Sequence, residues 1–344
     1  MNELMRKKVS APVIVKPRLG FLGVGWIGRN RMEAIVRQNK VEAAAIADPV
    51  EDLALKAREL APEAEIFDSM DALLIGNLDA IVIATPSALH AEQAIAAFEA
   101  GKAVFCQKPL GRNVVEVCRV IDAAKAADRL LSVDLSYRYL DGIRKMKQII
   151  DSGEIGNIYA VNLVFHNSYG PDKQWFYDPK LSGGGCVIDL GIHLVDLVLW
   201  ILSYPKVSNV SARLYTQGRP VTDSFFGVED FAIARFDLNE DTTVNLACSW
   251  HQSLGRDAVI EASFYGTKGG LSLSNVNGSF YDFKAERFRW TASETLSEPP
   301  DDWSARAAID WTEKLALSNR YDREIEHMIQ VSETIDAIYG RINL

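Results

Sequence analysis

The feature that most constrains this chain is a glycine-rich turn that joins an apolar run to a helical pattern. The turn is Gly23-Val24-Gly25-Trp26-Ile27-Gly28, and the apolar run before it begins at Leu19. The first glycine permits a tight turn, the second lets a ligand approach the backbone, and the third lets the helix pack closely on the strand. Because amides at a helix N-terminus attract anions, this pattern predicts a site for the pyrophosphate of a dinucleotide.

Residues 18–134 repeat the alternation of short β-branched runs and longer helical patterns. The predicted strands are residues 19–24, 41–47, 80–84 and 103–106, and the predicted helices begin near residues 26, 50, 87 and 113. Successive strand and helix units of this kind are typical of a parallel sheet with helices on both faces. We therefore predict an NAD(P)-binding Rossmann domain, a doubly wound parallel α/β sheet, over residues 1–136.

The chain beyond residue 136 has a different pattern. Helices are predicted at residues 142–152, 185–202, 302–316 and 321–339, and strands at 158–165, 207–216, 231–236, 243–251, 258–265 and 270–274. Alternating strands at this spacing are typical of an antiparallel sheet. Residues 137–344 are therefore predicted to form an α+β domain with a large, mostly antiparallel open sheet and flanking helices.

The charge balance argues against nucleic acid as a partner. The 344 residues include 37 Lys and Arg against 46 Asp and Glu, a net charge of −9, and the one short basic cluster is Arg6-Lys7-Lys8. A chain this acidic repels phosphate backbones. The most apolar stretch, residues 186–202, contains two Asp and one His, which are costly in hydrocarbon. We expect it to be a buried helix and expect no membrane span.

Cysteine usage and the first residues bear on the compartment. The four cysteines, Cys106, Cys118, Cys186 and Cys248, show no C-x-x-C spacing, so neither a zinc ribbon nor a thioredoxin-like motif is indicated. The apolar run at residues 11–15 is too short for the core of a secretion signal. A cytoplasmic location is the expectation.

An acidic residue follows the glycine turn at the distance that a dinucleotide site requires. Asp48 lies twenty residues beyond Gly28, at the end of the second predicted strand. A carboxylate there accepts hydrogen bonds from the adenosine ribose hydroxyls and repels a 2′-phosphate, so NAD is favoured over NADP. The alternative is that Asp48 caps a helix that begins at Pro49, and the two roles are compatible.

Two further motifs follow predicted strands and therefore lie at the sheet edge where ligands bind. The first contains Thr85, Pro86 and His90, and the second is Cys106-Gln107-Lys108-Pro109. A lysine at the mouth of a dinucleotide cleft can hydrogen-bond a substrate oxygen. The alternatives are that His90 is a surface residue in the first turn of a helix and that Lys108 is a solvated turn lysine.

The third motif is Gly183-Gly184-Gly185 followed by an apolar helical stretch. Within that stretch Asp189, His193 and Asp196 are spaced i, i+4 and i+7, which places them on one face of a helix. Buried polar groups need partners, so this face should meet ligand or protein groups. A satisfied core histidine is the alternative for His193. No metal site is predicted, because two carboxylates and one histidine on a single helix are a poor ligand set.

The combination of these motifs resembles the glucose-fructose oxidoreductase, inositol dehydrogenase and MocA family over nearly the whole chain. The resemblance implies NAD(P)-dependent oxidation of a sugar or cyclitol hydroxyl, or the reverse reduction. It also implies that the second domain shapes the substrate pocket and forms a homodimer or homotetramer interface. By position, Lys108 matches the lysine of the family's Glu-Lys-Pro motif, and Asp189 and His193 match its Asp and His. Gln107 stands where the family usually has Glu, so a neutral amide replaces a charge beside the cofactor.

These matches define the candidate site residues. His193 is expected to take the substrate hydroxyl proton, since the ordinary pKa of histidine is about 6.5, while Lys108 orients that oxygen. Asp189 is expected to position His193 or hold a neighbouring hydroxyl. The expected cofactor contacts are Gly23, Gly25, Trp26, Ile27, Gly28, Asp48, Thr85, Pro86, His90, Gln107 and Lys108. The expected substrate contacts are Lys108, Arg138, Trp175, Asp189 and His193.

Two other functions fit the same motifs. An NAD-dependent glycosidase, in which transient oxidation of a sugar assists elimination, uses the same fold and cofactor. A non-catalytic nucleotide or sugar sensor on a Rossmann scaffold is the second alternative. The presence of both Lys108 and His193 argues against the sensor, because a sensor has no use for a proton-transfer pair. The leading expectation is an NAD-dependent dehydrogenase that acts on a small polyol or sugar.

Overall fold

A computed structural model describes residues 16–222 and 227–344 of the chain. The basic cluster at residues 6–8 and the apolar run at residues 11–15 lie outside the described residues. Within the described ranges the chain forms two sheets, one of six strands and one of nine.

The first sheet is wholly parallel, and its strand order is β3-β2-β1-β4-β5-β6. Its strands are β1 (Arg18–Leu22), β2 (Glu42–Ala47), β3 (Glu65–Phe67), β4 (Ala80–Ile83), β5 (Ala103–Cys106) and β6 (Leu131–Val133). This is the order of a Rossmann fold, so the predicted doubly wound sheet is confirmed. The sequence analysis missed β3 and β6, because strands of three residues are too short for a periodic signal.

Helices cover both faces of the parallel sheet. They are α1 (Trp26–Arg37), α2 (Glu51–Arg58), α3 (Met70–Ile75), α4 (Ser87–Glu99) and α5 (Val114–Ala127). Leu19 and Phe21 point from β1 into one apolar core, where they meet Met32 and Ile35 of α1. Leu22 belongs to the other core, with α4 and α5. This alternation follows from the two-residue period of a strand.

The second sheet is mostly antiparallel, as predicted, and its order is β15-β14-β13-β12-β7-β11-β10-β8-β9 with one parallel pair, β7 and β11. Its strands are β7 (Ile158–Asn167), β8 (Val207–Thr216), β9 (Arg219–Pro220), β10 (Phe231–Leu238), β11 (Thr242–Ser249), β12 (Ala258–Gly266), β13 (Gly269–Asn275), β14 (Phe283–Arg289) and β15 (Ala292–Ser297). The sequence analysis missed β9, β14 and β15. β9 and β15 are the edge strands and β14 lies next to β15; all three are rich in polar residues, so their apolar alternation is weak.

The remaining helices are α6 (Asp141–Asp151), α7 (Pro179–Ser182), α8 (Ile192–Ile201), α9 (Arg306–Leu317) and α10 (His327–Ile338). Although α9 belongs by sequence to the C-terminal half, it packs on the parallel sheet. Trp311 is fully buried there and its ring centroid lies 5.5 Å from that of Phe105 in β5. Similarly, α10 shares a core with α5. Helices α9 and α10 thus pack against the first domain, although both lie beyond residue 136 in the sequence.

The predicted helix at residues 185–202 consists of two parts. A π-helical turn, Val187–Gly191, precedes α8, and nearly every side chain of α8 is buried. The stretch Pro179–Ile201 is long and apolar enough to cross a membrane by length and composition alone, but 83% of its most apolar part is buried inside the protein. It is a core helix, as its interrupting polar residues predicted.

Candidate active site

The geometry of the turn after β1 explains why glycine stands at each of three positions. Gly23 has a φ of +81°, and a Cβ there would lie 2.7 Å from the Ala84 carbonyl oxygen. A Cβ on Gly28 would lie 2.0 Å from the Gly23 carbonyl oxygen. A Cβ on Gly25 would meet nothing within 4 Å, so the space above it is open. Helix α1 has no side-chain cap and no acidic residue in its first turn, which leaves its amides for an anion. The turn therefore fits the pyrophosphate of a dinucleotide.

Asp48 lies beside this turn and holds it. Its Oδ2 accepts a hydrogen bond from the Val24 amide at 2.8 Å, and its Oδ1 accepts one from the Val50 amide at 2.9 Å. Helix α2 begins at Glu51 with Val50 as its N-cap, so the expectation that Asp48 caps a helix beginning at Pro49 is wrong. The carboxylate instead closes an Asx turn at the end of β2.

A cavity of about 550 Å³ lies at the carboxyl edge of the parallel sheet and is lined by both halves of the chain. The structure brings to it these expected site residues: Gly25, Trp26, Ile27, Thr85, Pro86, His90, Gln107, Lys108, Trp175, Asp189 and His193. Four expected residues, Gly23, Gly28, Asp48 and Arg138, are not among its lining. The first three still form or brace the glycine turn.

Lys108 and Asp189 form an ion pair within this cavity. The Lys108 Nζ lies 2.6 Å from Asp189 Oδ1 and 2.7 Å from the Asp189 carbonyl oxygen. The Asp189 Oδ2 accepts a hydrogen bond from the Trp250 Nε1 at 3.1 Å. Both Asp189 oxygens are therefore engaged away from His193, and the expectation that Asp189 positions His193 is not met. The π turn is the reason, because i→i+5 hydrogen bonding removes the alignment that i, i+4 spacing has in an α-helix.

His193 lines the same cavity with one ring nitrogen left unpaired. Its Nδ1 is buried and has no hydrogen-bond partner among the residues that the structure describes. The ring packs on Tyr137, with 5.0 Å between centroids. Burial lowers the pKa of His193 well below its ordinary value, and the nearby positive charges of Lys108 and Arg31 lower it further. His193 is therefore neutral at physiological pH and able to accept a proton.

His90 is a buried residue, which corrects the alternative that placed it on the surface. It is 1% exposed, its Nδ1 lies 2.7 Å from the Pro109 carbonyl oxygen, and its Nε2 lies 2.7 Å from the Thr85 carbonyl oxygen. Burial lowers the pKa of His90. A neutral imidazole has one N–H and can donate to only one of these carbonyls, and the buried ring packs between the loop after β4 and the loop after β5, which carries Lys108.

Gln107 belongs to a buried polar cluster that the sequence analysis did not find. Its amide nitrogen donates to Asp134 Oδ2, and the same oxygen accepts a hydrogen bond from Arg31 Nε at 2.6 Å. Ser136 donates its hydroxyl to Asp134 Oδ1 at 2.5 Å. The exposed fractions of Gln107, Asp134 and Arg31 are 8%, 2% and 7%. Asp134 directly follows β6 at the ligand edge of the sheet, and that position was the signal available in the sequence.

Arg138 is engaged elsewhere. Its guanidinium donates from Nε to Asp196 Oδ2 at 2.7 Å and from a second nitrogen to Asp196 Oδ1, and it lies over the Tyr204 ring. Asp196 is 1% exposed. This buried bidentate pair corrects the expectation that Arg138 contacts substrate, and it explains why Asp196 stands on the polar face of its helix.

The glycines at residues 183–185 allow close packing at the start of the helix that carries Asp189. A Cβ on Gly184 would lie 2.1 Å from the Tyr339 hydroxyl oxygen, and one on Gly185 would lie 1.9 Å from the Glu229 carbonyl oxygen. The buried Glu229 carboxylate accepts hydrogen bonds from the Gly185 and Val187 amides and from the Tyr339 hydroxyl. Glu229 thereby anchors the helix start, a role that no local sequence signal indicated.

Two family models together match most of the chain. One, described as an oxidoreductase family with an NAD-binding Rossmann fold, matches residues 17–135, and the other, described as the GFO/IDH/MocA C-terminal domain, matches residues 143–272. The chain belongs to the GFO/IDH/MocA family. The resemblance inferred from its motifs is confirmed, and the protein is an NAD(P)-dependent dehydrogenase or reductase.

Several known proteins are similar in sequence or structure to most of the chain. Inositol 2-dehydrogenase 3 of Saccharopolyspora erythraea is 27% identical over 91% of this chain and 84% of its own length. D-glucoside 3-dehydrogenase of Escherichia coli is 25% identical over 74% of this chain and 76% of its own. The crystal structure of a 3-ketoreductase from Actinomadura kijaniata, in complex with NADP and TDP-benzene, has a TM-score of 0.82 at 21% identity and covers 95% of this chain and 98% of its own.

Proposed function

We propose that this GFO/IDH/MocA protein oxidises a CH–OH group of a sugar, a sugar derivative or a cyclitol with NAD, or catalyses the reverse reduction. The observation that carries the proposal is the presence of Lys108 and His193 in one cavity that also reaches the glycine turn. Lys108 comes from the Rossmann half and His193 from the other half. Relatives named for inositol and glucoside oxidation support the substrate class.

The two side chains divide the proton chemistry between them. An ammonium group has three donors, and Lys108 uses two of them on Asp189, so one remains for a substrate oxygen. His193, held neutral by its surroundings, accepts the hydroxyl proton in oxidation and returns it in reduction. When bound, oxidised NAD would supply the acceptor for the hydride from the carbon that carries this hydroxyl. The protein's own contribution is to hold the hydroxyl between a cation and a base.

We propose NAD as the preferred cofactor over NADP. The Asp48 carboxylate at the end of β2 supports this choice, because its charge disfavours a 2′-phosphate at the adenosine ribose. The residues after Asp48 are Pro49, Val50 and Glu51, so no basic side chain follows directly to pair with such a phosphate.

A substrate panel tests the proposed reaction. Sugars, glycosides and cyclitols are incubated with the enzyme and NAD, and NADH is followed by its absorbance. Net NADH formation with a ketone product supports the dehydrogenase. Release of an aglycone without net NADH identifies the NAD-dependent glycosidase instead, and nucleotide binding without turnover of any panel member contradicts the proposed substrate class.

We also propose that the protein is a homodimer or homotetramer. The face of the nine-stranded sheet turned away from the helices exposes Tyr159, Ile233 and Tyr265, which are 55%, 49% and 40% exposed. A sheet face with such residues gains from pairing with a second copy. Light scattering across micromolar concentrations should give a mass of two or four chains, and a constant monomer mass would contradict this assembly.

A further inference from the structure

We infer that the substrate is an uncharged glycoside that carries an apolar or aromatic group, rather than a phosphorylated sugar or a sugar acid. This inference rests on the proposed function and names its substrate class. Two independent observations support it: the pairing of the charges in the cavity, and the arrangement of aromatic side chains along its walls.

Within the described residues, every Lys and Arg side chain that lines the cavity has an acidic partner that also lines it. Arg31 pairs with Asp134 at 2.6 Å, Lys108 with Asp189 at 2.6 Å, and Lys173 with Asp172 at 3.3 Å.

The first two of these pairs are mostly buried, so pulling either cation towards a substrate phosphate would leave a carboxylate uncompensated. The third pair lies at the exposed rim, where the Asp172 charge beside Lys173 and screening by solvent both weaken the attraction of Lys173 for an anion. A phosphate or carboxylate on the substrate would therefore find no unopposed positive charge.

One aromatic wall leads outward from Asp189. Trp250 donates its Nε1 hydrogen to the Asp189 carboxylate, and its ring meets the edge of Phe176 with 6.4 Å between centroids. Phe176 in turn stacks on Trp175, with 3.8 Å between centroids and 21° between the ring planes. Both Phe176 and Trp175 line the cavity. The wall thus runs from the polar centre to a partly exposed tryptophan.

A second aromatic wall leads outward from His193. Tyr137 packs on the His193 ring, and Trp303 packs on Tyr137 with 4.9 Å between centroids. Trp303 donates its Nε1 hydrogen to the Tyr281 carbonyl oxygen at 2.9 Å. Tyr281 is 51% exposed and, like Tyr137 and Trp303, lines the cavity.

The two walls assign different parts of a substrate to different parts of the cavity. Hydroxyl groups of a sugar ring meet Lys108, Asp189 and His193 at the polar centre, and a group attached to the ring lies between the aromatic walls. A phosphate in that outer position would meet apolar ring faces and, at the rim, the Asp172 carboxylate beside Lys173, so it would gain little in exchange for the water that it loses. An aromatic or alkyl group there gains apolar contact and ring stacking.

Matched substrates test the inference. For each hexose that supports NADH formation, kcat/KM is measured for the free sugar, its methyl glycoside, its phenyl glycoside and its phosphate ester. We expect kcat/KM for the phenyl glycoside to exceed that for the free sugar by about tenfold or more, because the phenyl group adds an aromatic contact and buries apolar area. We expect the phosphate ester to have the lowest kcat/KM. Equal or higher kcat/KM for the phosphate ester or the free sugar would overturn the inference while leaving the proposed oxidoreductase intact. No NADH with any member would instead contradict the proposed function.

Two variants examine the walls directly. Trp175→Ala removes the outer end of one wall and Tyr281→Ala the outer end of the other, and both residues are partly exposed, so we expect both variants to fold. Each should reduce the ratio of kcat/KM for the phenyl glycoside to that for the free sugar. Trp290→Ala is the matched control, because Trp290 is fully exposed on the turn between β14 and β15 and does not line the cavity. An unchanged ratio in both wall variants would refute the assignment of the walls.

Discussion

Lys108 and Asp189, which are 81 residues apart in the sequence, form an ion pair that joins the two halves of the protein at the cavity. The carboxylate fixes the position of the lysine, and Trp250 fixes the other carboxylate oxygen. Because the pair is mostly buried, with side chains 18% and 16% exposed, it holds the ammonium in one place rather than leaving it mobile in solvent. This arrangement preorganises a donor for a substrate oxygen.

The first prediction concerns the proton-transfer pair. Lys108→Ala and His193→Ala should each lower kcat by about a hundredfold or more, the usual range for loss of a general acid or base. Since the two side chains act on one oxygen, the double variant should lose less than the product of the two single losses. Steady-state kinetics on the best panel substrate measure these effects, with NAD binding by His193→Ala as the control for an intact cofactor site. A near-normal kcat for His193→Ala would show that His193 is a core histidine without a role in proton transfer.

The second prediction is the pH dependence of oxidation. The base must be neutral, and burial together with Lys108 and Arg31 holds the pKa of His193 well below 6.5. The profile of kcat/KM should therefore show no loss as the pH falls to 6.5, and its acidic limb should lie below that value. Lys108→Met removes a repelling positive charge, so the pKa of His193 should rise and the acidic limb of the residual activity should move to higher pH. An acidic limb at the same pH in both proteins would contradict this role of Lys108.

The third prediction concerns Gln107, the position where the family usually has Glu. Gln107→Glu would place a second carboxylate against the buried Asp134, which already accepts from Arg31, and should lower the free energy of unfolding by about 1–3 kcal/mol. Asp134→Asn in the same chain should restore part of that loss, because the new amide can donate to the new carboxylate. Urea unfolding of both single variants and the double variant measures the coupling. Strictly additive losses would show that the two residues do not interact.

The fourth prediction concerns cofactor choice. Calorimetric titration should show tighter binding of NAD than of NADP, and Asp48→Ser should raise the affinity for NADP relative to NAD by removing a like charge from the 2′-phosphate site. Asp48→Asn is the control, because it removes the charge but keeps an oxygen that can accept from the Val24 amide. If the wild-type protein binds NADP as tightly as NAD, the assignment of Asp48 is wrong.

Features that depend only on residues close together in the sequence could be predicted from it. The glycine turn specified a strand, a tight bend and a helix, because steric limits on φ and on Cβ contacts act within a few residues. The motifs after β4 and β5 were correctly placed at one edge, since parallel strands share their carboxyl ends. Strands β14 and β15 could not be recognised, because a short strand rich in polar residues carries only a weak apolar alternation.

The sequence by itself determined the parallel sheet, its ligand edge, and the identity of the polar residues carried there and on the helix after residue 185. Only the tertiary structure decided which of these residues meet. Asp189 pairs with Lys108 rather than His193, and Arg31 pairs with Asp134 across 103 residues of sequence. The physical reason is that spacing along one helix relates only side chains of that helix. The partner of a buried charge is set by the elements that pack around it, and a burial cost of several kcal/mol per ion then selects the nearest opposite charge.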